Sequence, residues 1–133
     1  MEARAFRMAT AQYPRACWIV ALHHHVIEYP QRAKELSERI GTALINGSWF
    51  IRRLQHLGDH AVIMHGHRHV DWIGECGALQ IISAPSPVMG ATDCQETYFY
   101  VHTFSIGPDE RLRLLEPERI GVCGRQAVDE ARA

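Results

Sequence analysis

The chain has no Cys-x-x-Cys pair. Its four cysteines, Cys17, Cys76, Cys94 and Cys123, stand far apart, which argues against a thiolate zinc site. Nothing marks a secreted chain, so they read as free thiols, mostly buried, in a reducing compartment. Long hydrophobic runs are missing too. No apolar stretch reaches the ~18 residues of a membrane span, and residues 1–15 lack the apolar centre of a secretory signal. The expected location is the cytoplasm, with no membrane partner. An excess of one charge is also absent. The formal net charge of −1 exerts no long-range pull on nucleic acid or an anionic membrane, so neither is indicated as a partner. Internal repeats and low-complexity tracts are absent. Aspartate is short where it would matter most: the residues ahead of His23 contain none.

What is present suits one compact domain of 133 residues, with 47% hydrophobic and 22% charged residues. Residues 1–15 read as a lead-in or a short helix. Residues 16–22, Ala-Cys-Trp-Ile-Val-Ala-Leu, form a continuous apolar run that predicts a buried strand. From Gln31 the spacing becomes helical, with Ala33, Leu36, Ile40, Ala43 and Leu44 on one face. Asn46-Gly47-Ser48 ends that helix. Ser48 is placed to cap a second one, with Leu54 and Leu57 turned inward and Gly58 past its end. A second buried strand spans residues 60–64. Strands follow at 71–76, 79–83, 97–105 and 111–115, with a polar, proline-containing loop at 83–93. Residues 121–133 read as a polar, frayed tail. This order predicts an α/β layer leading into a more antiparallel sheet.

Six of the nine histidines lie in two windows, His23-His24-His25 and His65-Gly66-His67-Arg68-His69. Each window directly follows a predicted buried strand, and ligands of open α/β sheets gather outside the carboxyl ends of strands. Neutral imidazole is the commonest metal ligand near neutral pH. If the backbone stays extended, His67 and His69 share one face, with Arg68 turned away, and His23 and His25 share another. Gly66 would allow a sharp turn or a close backbone approach. His56 and His60 flank a helix end and read as surface groups. His102 reads as a hydrogen-bonded sheet residue.

The pair of segments Trp-Ile-Val-Ala-Leu-His-His-His-Val and Ala-Val-Ile-Met-His-Gly-His-Arg-His resembles the last two sequence blocks of the calcineurin-like metallophosphoesterases. In that family a strand ends in His-His and a later one runs into Gly-His-x-His. Leu-Gln-Ile-Ile-Ser-Ala-Pro-Ser-Pro downstream is similar to the strand and serine-containing loop that follow. The resemblance covers residues 16–117. It implies a C-terminal part of the phosphoesterase domain over residues 16–120, and so half of a four-layer αββα sandwich with mixed or antiparallel strands and two helices. It further implies hydrolysis of phosphomonoesters or phosphodiesters by a hydroxide activated between two divalent cations, of the kind Mn, Fe, Zn or Ni. His23 and His67 resemble ligands of one cation and His69 a ligand of the other. His24 resembles a neighbour of the first ligand that either supports that ligand from behind or faces substrate, and Gly66 and Arg68 complete the block in the same supporting or substrate-facing place, with Arg68 at its variable position.

The family's earlier blocks, Asp-x-His, Gly-Asp-x-x-Asp and Gly-Asn-His, have no counterpart ahead of His23. Gly58-Asp59-His60 echoes them only on the wrong side. Two cations held close together need bridging carboxylates to offset their repulsion, and three imidazoles supply no negative charge. These residues alone are therefore expected to hold at most one cation, weakly, and the chain alone is expected to be inactive. It would be a fragment whose partner is a complementing N-terminal half, or a second copy through an exposed sheet edge. The alternative is a non-catalytic metal-binding or interaction module that keeps half of the fold. Histidine-triad and cupin patterns fit less well, because Gly66 and Arg68 stand where the triad needs apolar residues and the second cupin block is missing. Within the family, motif order leaves the phosphate-ester substrate and the native metal open.

Overall fold

A computed structural model describes residues 3–27, 46–67, 69–88 and 97–122. The chain opens with helix α1 (Ala3–Gln12) and strand β1 (Trp18–Leu22). Helix α2 (Gly47–Leu54) follows and runs into a 3-10 helix (Gln55–His60). Then come β2 (Ala61–His65), β3 (Trp72–Cys76), β4 (Leu79–Ser83), β5 (Thr97–Val101), β6 (Phe104–Ile106), β7 (Leu112–Leu114) and β8 (Glu118–Val122). The fold is mixed α/β, as expected. The helix anticipated at residues 31–44 lies outside the described residues.

Four strands form the main sheet in the order β1-β2-β4-β3, with β1, β2 and β4 parallel and β3 antiparallel at the far edge. The register explains the core. Val20 lies beside Ile63, which lies beside Ile81, so the three side chains share one face. Ile51 and Leu54 of α2 pack against that face with Leu79, Ala61 and Val26, and Phe6, Trp18 and Leu57 pad its rim. β2 and β4 are buried on both faces, since Val62 and Ile82 on the opposite side are also inaccessible. This accounts for the apolar residues 61–64 of β2 and for Leu79, Ile81 and Ile82 of β4, where half-buried Gln80 is the exception. Each such aliphatic side chain contributes about 1.5–3 kcal/mol on burial. β1, at the edge, alternates instead: Trp18, Val20 and Leu22 face inward and Ile19 and Ala21 outward. β3 and β4 join through the tight turn at Gly77, whose φ of 63° suits glycine.

Two small antiparallel ribbons complete the chain, β5 with β8 and β6 with β7. Several boundaries differ from the sequence expectation. The run at 97–105 breaks into β5 and β6, separated by His102 and Thr103. Gly121, placed in a frayed tail by its polar surroundings, belongs to β8, where it pairs with Tyr98. Helix α2 begins at Gly47 after Asn46, two residues earlier than a Ser48 cap requires. The reason lies in packing. Gly47 is buried against the Val26 carbonyl so closely that any Cβ would collide with it. That contact ties the start of α2 to the residue directly after the histidine triple.

Candidate metal centre

Parallel pairing of β1 with β2 sets Leu22 beside His65, so both strands end at the same edge of the sheet. The two histidine windows leave from that edge. The Gly66 N–H donates to the His23 carbonyl at 3.3 Å, which stitches the exits together. β4 ends there too, with Ser83 beside His65, and antiparallel β3 begins there, just after Asp71.

Regular β1 stops at Leu22, so the expected alternation of His23 and His25 against His24 does not extend into the triple. His23 and His24 are exposed, whereas His25 is buried. The second window also abandons strand geometry. His67 and His69 have φ of 69° and 53°, in the left-handed region uncommon for any residue but glycine. Gly66 is not the turning residue: its φ is not left-handed, and a Cβ there would meet nothing within 4 Å. The sharp turn falls one residue later, and two left-handed histidines cannot present their side chains as alternate positions of a strand would.

The result is a triad of rings. His23, His24 and His67 have centroids 4.7–4.8 Å apart in all three pairs. One ligand atom from each lies within 4.8 Å of the others. His67 Nδ1 and His23 Nε2 approach to 2.9 Å and share a hydrogen bond. Tetrahedral Zn–N bonds of 2.0–2.1 Å place ligand nitrogens about 3.3 Å apart. The shortest of these approaches is slightly tighter and the outer limit looser, so for all three to meet one cation the exposed His23 and His24 rings and the half-buried His67 ring must turn and the His23–His67 hydrogen bond must open. The three residues form a group that could hold a metal ion. It does not by itself fit a two-metal centre, because among the described residues no carboxylate joins the group.

The structure thus brings together His23 and His67, both expected as ligands, with His24, expected to support a ligand or face substrate. His69 is exposed and stands outside the triad. Gly66 lies at its base, and Arg68 lies outside the described residues. Beneath the triad sits a buried layer that sequence reading did not single out. His25 and His65 are both almost fully buried, with ring centroids 6.4 Å apart. Burial lowers the His65 pKa, against a weaker upward pull from a backbone hydrogen bond with Gly66, and so favours the neutral ring. The Ser83 hydroxyl is buried nearby in register and has no hydrogen-bond partner among the described residues. The signal for this layer was partial: His65 ends the apolar run of β2, and His25 precedes the apolar Val26.

At the same edge, Asp71 accepts hydrogen bonds from the Tyr98 and Tyr100 hydroxyls at 2.9 and 3.0 Å. These bonds raise the pKa of both phenols, because ionising either would set two negative charges side by side. Arg119 lies over the Tyr98 ring, 4.0 Å from its centroid. This carboxylate is held by β5 and is not part of the triad.

No protein-family model, curated protein or solved structure matches the chain. Among the described residues no helix is long and apolar enough to cross a membrane.

Proposed function

We propose that the chain carries the C-terminal part of a calcineurin-like metallophosphoesterase and that His23, His24 and His67 form half of its metal-binding corner. The observation behind this reading is their convergence at the carboxyl ends of two adjacent parallel strands. In this reading the four-stranded sheet, with α2 on one face, belongs to one layer pair of an αββα sandwich. The Asp-x-His, Gly-Asp-x-x-Asp and Gly-Asn-His residues come from a complementing segment or a partner chain. The substrate is a phosphomonoester or phosphodiester, and the protein works in the cytoplasm, in keeping with the free thiols of Cys17 and Cys76.

Bound divalent cations supply Lewis acidity at the phosphoryl oxygens and lower the pKa of water. The chain's own residues do the positioning. His23 and His67 would hold a cation through ring nitrogens that here hydrogen-bond each other at 2.9 Å, so a bound cation would take the place of the proton they share. His24, exposed beside them, can donate to a phosphoryl oxygen and so hold a phosphate against the corner. The left-handed backbone at His67 lets its ring fold back onto His23.

The test uses the chain together with the coding region upstream of it. Hydrolysis of bis(4-nitrophenyl) phosphate with added Mn²⁺ should fall to the uncatalysed rate in His67→Ala. Unchanged turnover in that variant ends the proposal. A second reading, metal binding without catalysis, is favoured by the all-imidazole donor set. It predicts one Zn²⁺ bound per chain by calorimetry, lost in His23→Ala, with no hydrolysis whether or not the upstream region is present.

A further inference from the structure

The opposite end of the β1–β2 pair holds a second built feature, independent of the phosphoesterase reading. Helix α1 leans over the start of β1, where Phe6 meets Trp18 edge to face at 5.9 Å. Helix α2 and the 3-10 helix close the other side, leaving a crevice of about 710 Å³. Small-molecule sites have this size. Its walls are largely aromatic, including Phe6, Trp18 and Trp49, and its cations are Arg7, Arg52 and Arg53. Among the described residues no carboxylate lines it. Asp59, next in sequence to His60, is engaged elsewhere, with Arg111 at 3.0 Å. Arg53 is stacked over Trp49, 4.9 Å from the ring centroid, which orders its guanidinium beside an aromatic face. His60 also lines the crevice, and its Nδ1 is buried without a hydrogen-bond partner among the described residues.

We infer that this crevice binds an organic anion with a flat apolar body, an aromatic ring system bearing a sulfonate, carboxylate or phosphate. Two features select that class together. Ring walls gain from covering by an apolar body, which a bare inorganic ion cannot supply. Three guanidiniums in the lining favour a ligand with negative charge, and guanidinium is the side chain best shaped to grip an oxyanion through paired N–H donors. The site is distinct from the histidine corner. Trp18 and His60 adjoin the amino ends of the strands whose carboxyl ends lead to His23 and His67. Five strand residues at 3.3 Å each separate the two by about 16 Å.

The test is equilibrium binding of 8-anilino-1-naphthalenesulfonate to the full chain, read by calorimetry and by energy transfer from tryptophan. One saturable site per chain is expected. N-phenyl-1-naphthylamine, the same ring system without the sulfonate, should bind about 10-fold more weakly or worse, the usual scale of a charge-assisted contact. The double variant Arg52→Gln/Arg53→Gln should weaken sulfonate binding by about the same factor and leave the neutral amine unaffected. Both arginines are exposed, so circular dichroism should show an unaltered fold. Equal binding of the neutral amine, full retention of sulfonate affinity in the double variant, or many weak sites per chain would each overturn the inference.

Discussion

The two ends of the β1–β2 pair carry opposite chemistries on one scaffold. The carboxyl end offers solvent-accessible imidazoles, electron-pair donors that no carboxylate joins among the described residues. The amino end offers aromatic rings and guanidiniums, an apolar surface with positive charge. Both exist because parallel pairing brings like ends of separate strands together, so residues far apart in sequence meet twice, once at each edge. The carboxyl end depends on loop conformation at His67, whereas the amino end depends on how α1 and α2 flank the sheet.

The sharpest way to break the comparison is to damage what the two ends share. Ile63 lies at the middle of β2 and is fully buried. Ile63→Ala should cost about 2–5 kcal/mol of stability by urea denaturation, from lost transfer energy and the cavity left behind. Zn²⁺ and naphthalenesulfonate binding should then fail together; survival of one would show that the ends fold independently. At the carboxyl end alone, His67→Ala should weaken Zn²⁺ binding by more than about 100-fold, beyond the usual cost of losing an outer partner of a ligand. His24→Ala should also weaken it strongly, while His69→Ala changes it less than about 3-fold, within the noise of exposed substitutions. The opposite ranking of His24 and His69 by calorimetry would restore the ligand set that the sequence motif suggests.

A smaller effect probes how the corner is held. Gly47→Ala should cost about 1–3 kcal/mol, because the added methyl must displace the Val26 carbonyl. Thermal melting would register the loss, and Zn²⁺ affinity should drop with it, while Gly66→Ala, with open space around it, should leave stability within about 0.5 kcal/mol. The smallest effect concerns His102, remote from both ends in sequence. Burial lowers its pKa, opposed by the nearby Asp71 charge. The unfolded chain therefore takes up a proton at this site at higher pH than the folded chain. Stability should fall as pH drops below about 6.5, the value of an unperturbed imidazole, and His102→Gln should make that limb of pH-dependent denaturation shallower without abolishing it, because buried His65 contributes with the same sign. An unchanged slope would show that His102 makes no such contribution.

How far the sequence could be read depended on where side-chain pattern dominates. β4 falls on residues 79–83 as expected, because burial on both faces demands the apolar Leu79, Ile81 and Ile82. β2 was displaced by only one residue. β8 was missed since Glu-Arg-Ile-Gly-Val carries little apolar pattern; its pairing with β5 makes it a strand. The aromatic crevice was not legible either. Phe6, Trp18 and Trp49 come from three separate segments, and nothing local says that α1 folds over β1.

The same division holds for the histidines. Residue order alone settles that two imidazole windows follow two apolar strands and that no aspartate precedes the first, because composition and adjacency are properties of the chain itself. Which three rings meet was decided by tertiary structure. The parallel register that sets Leu22 beside His65, the end of β1 before His23 and the left-handed backbone at His67 together gather His24 into the triad and leave His69 outside. The physical reason is that side-chain alternation predicts direction only while the backbone stays extended, and both windows leave the extended region at the residues where the site is made.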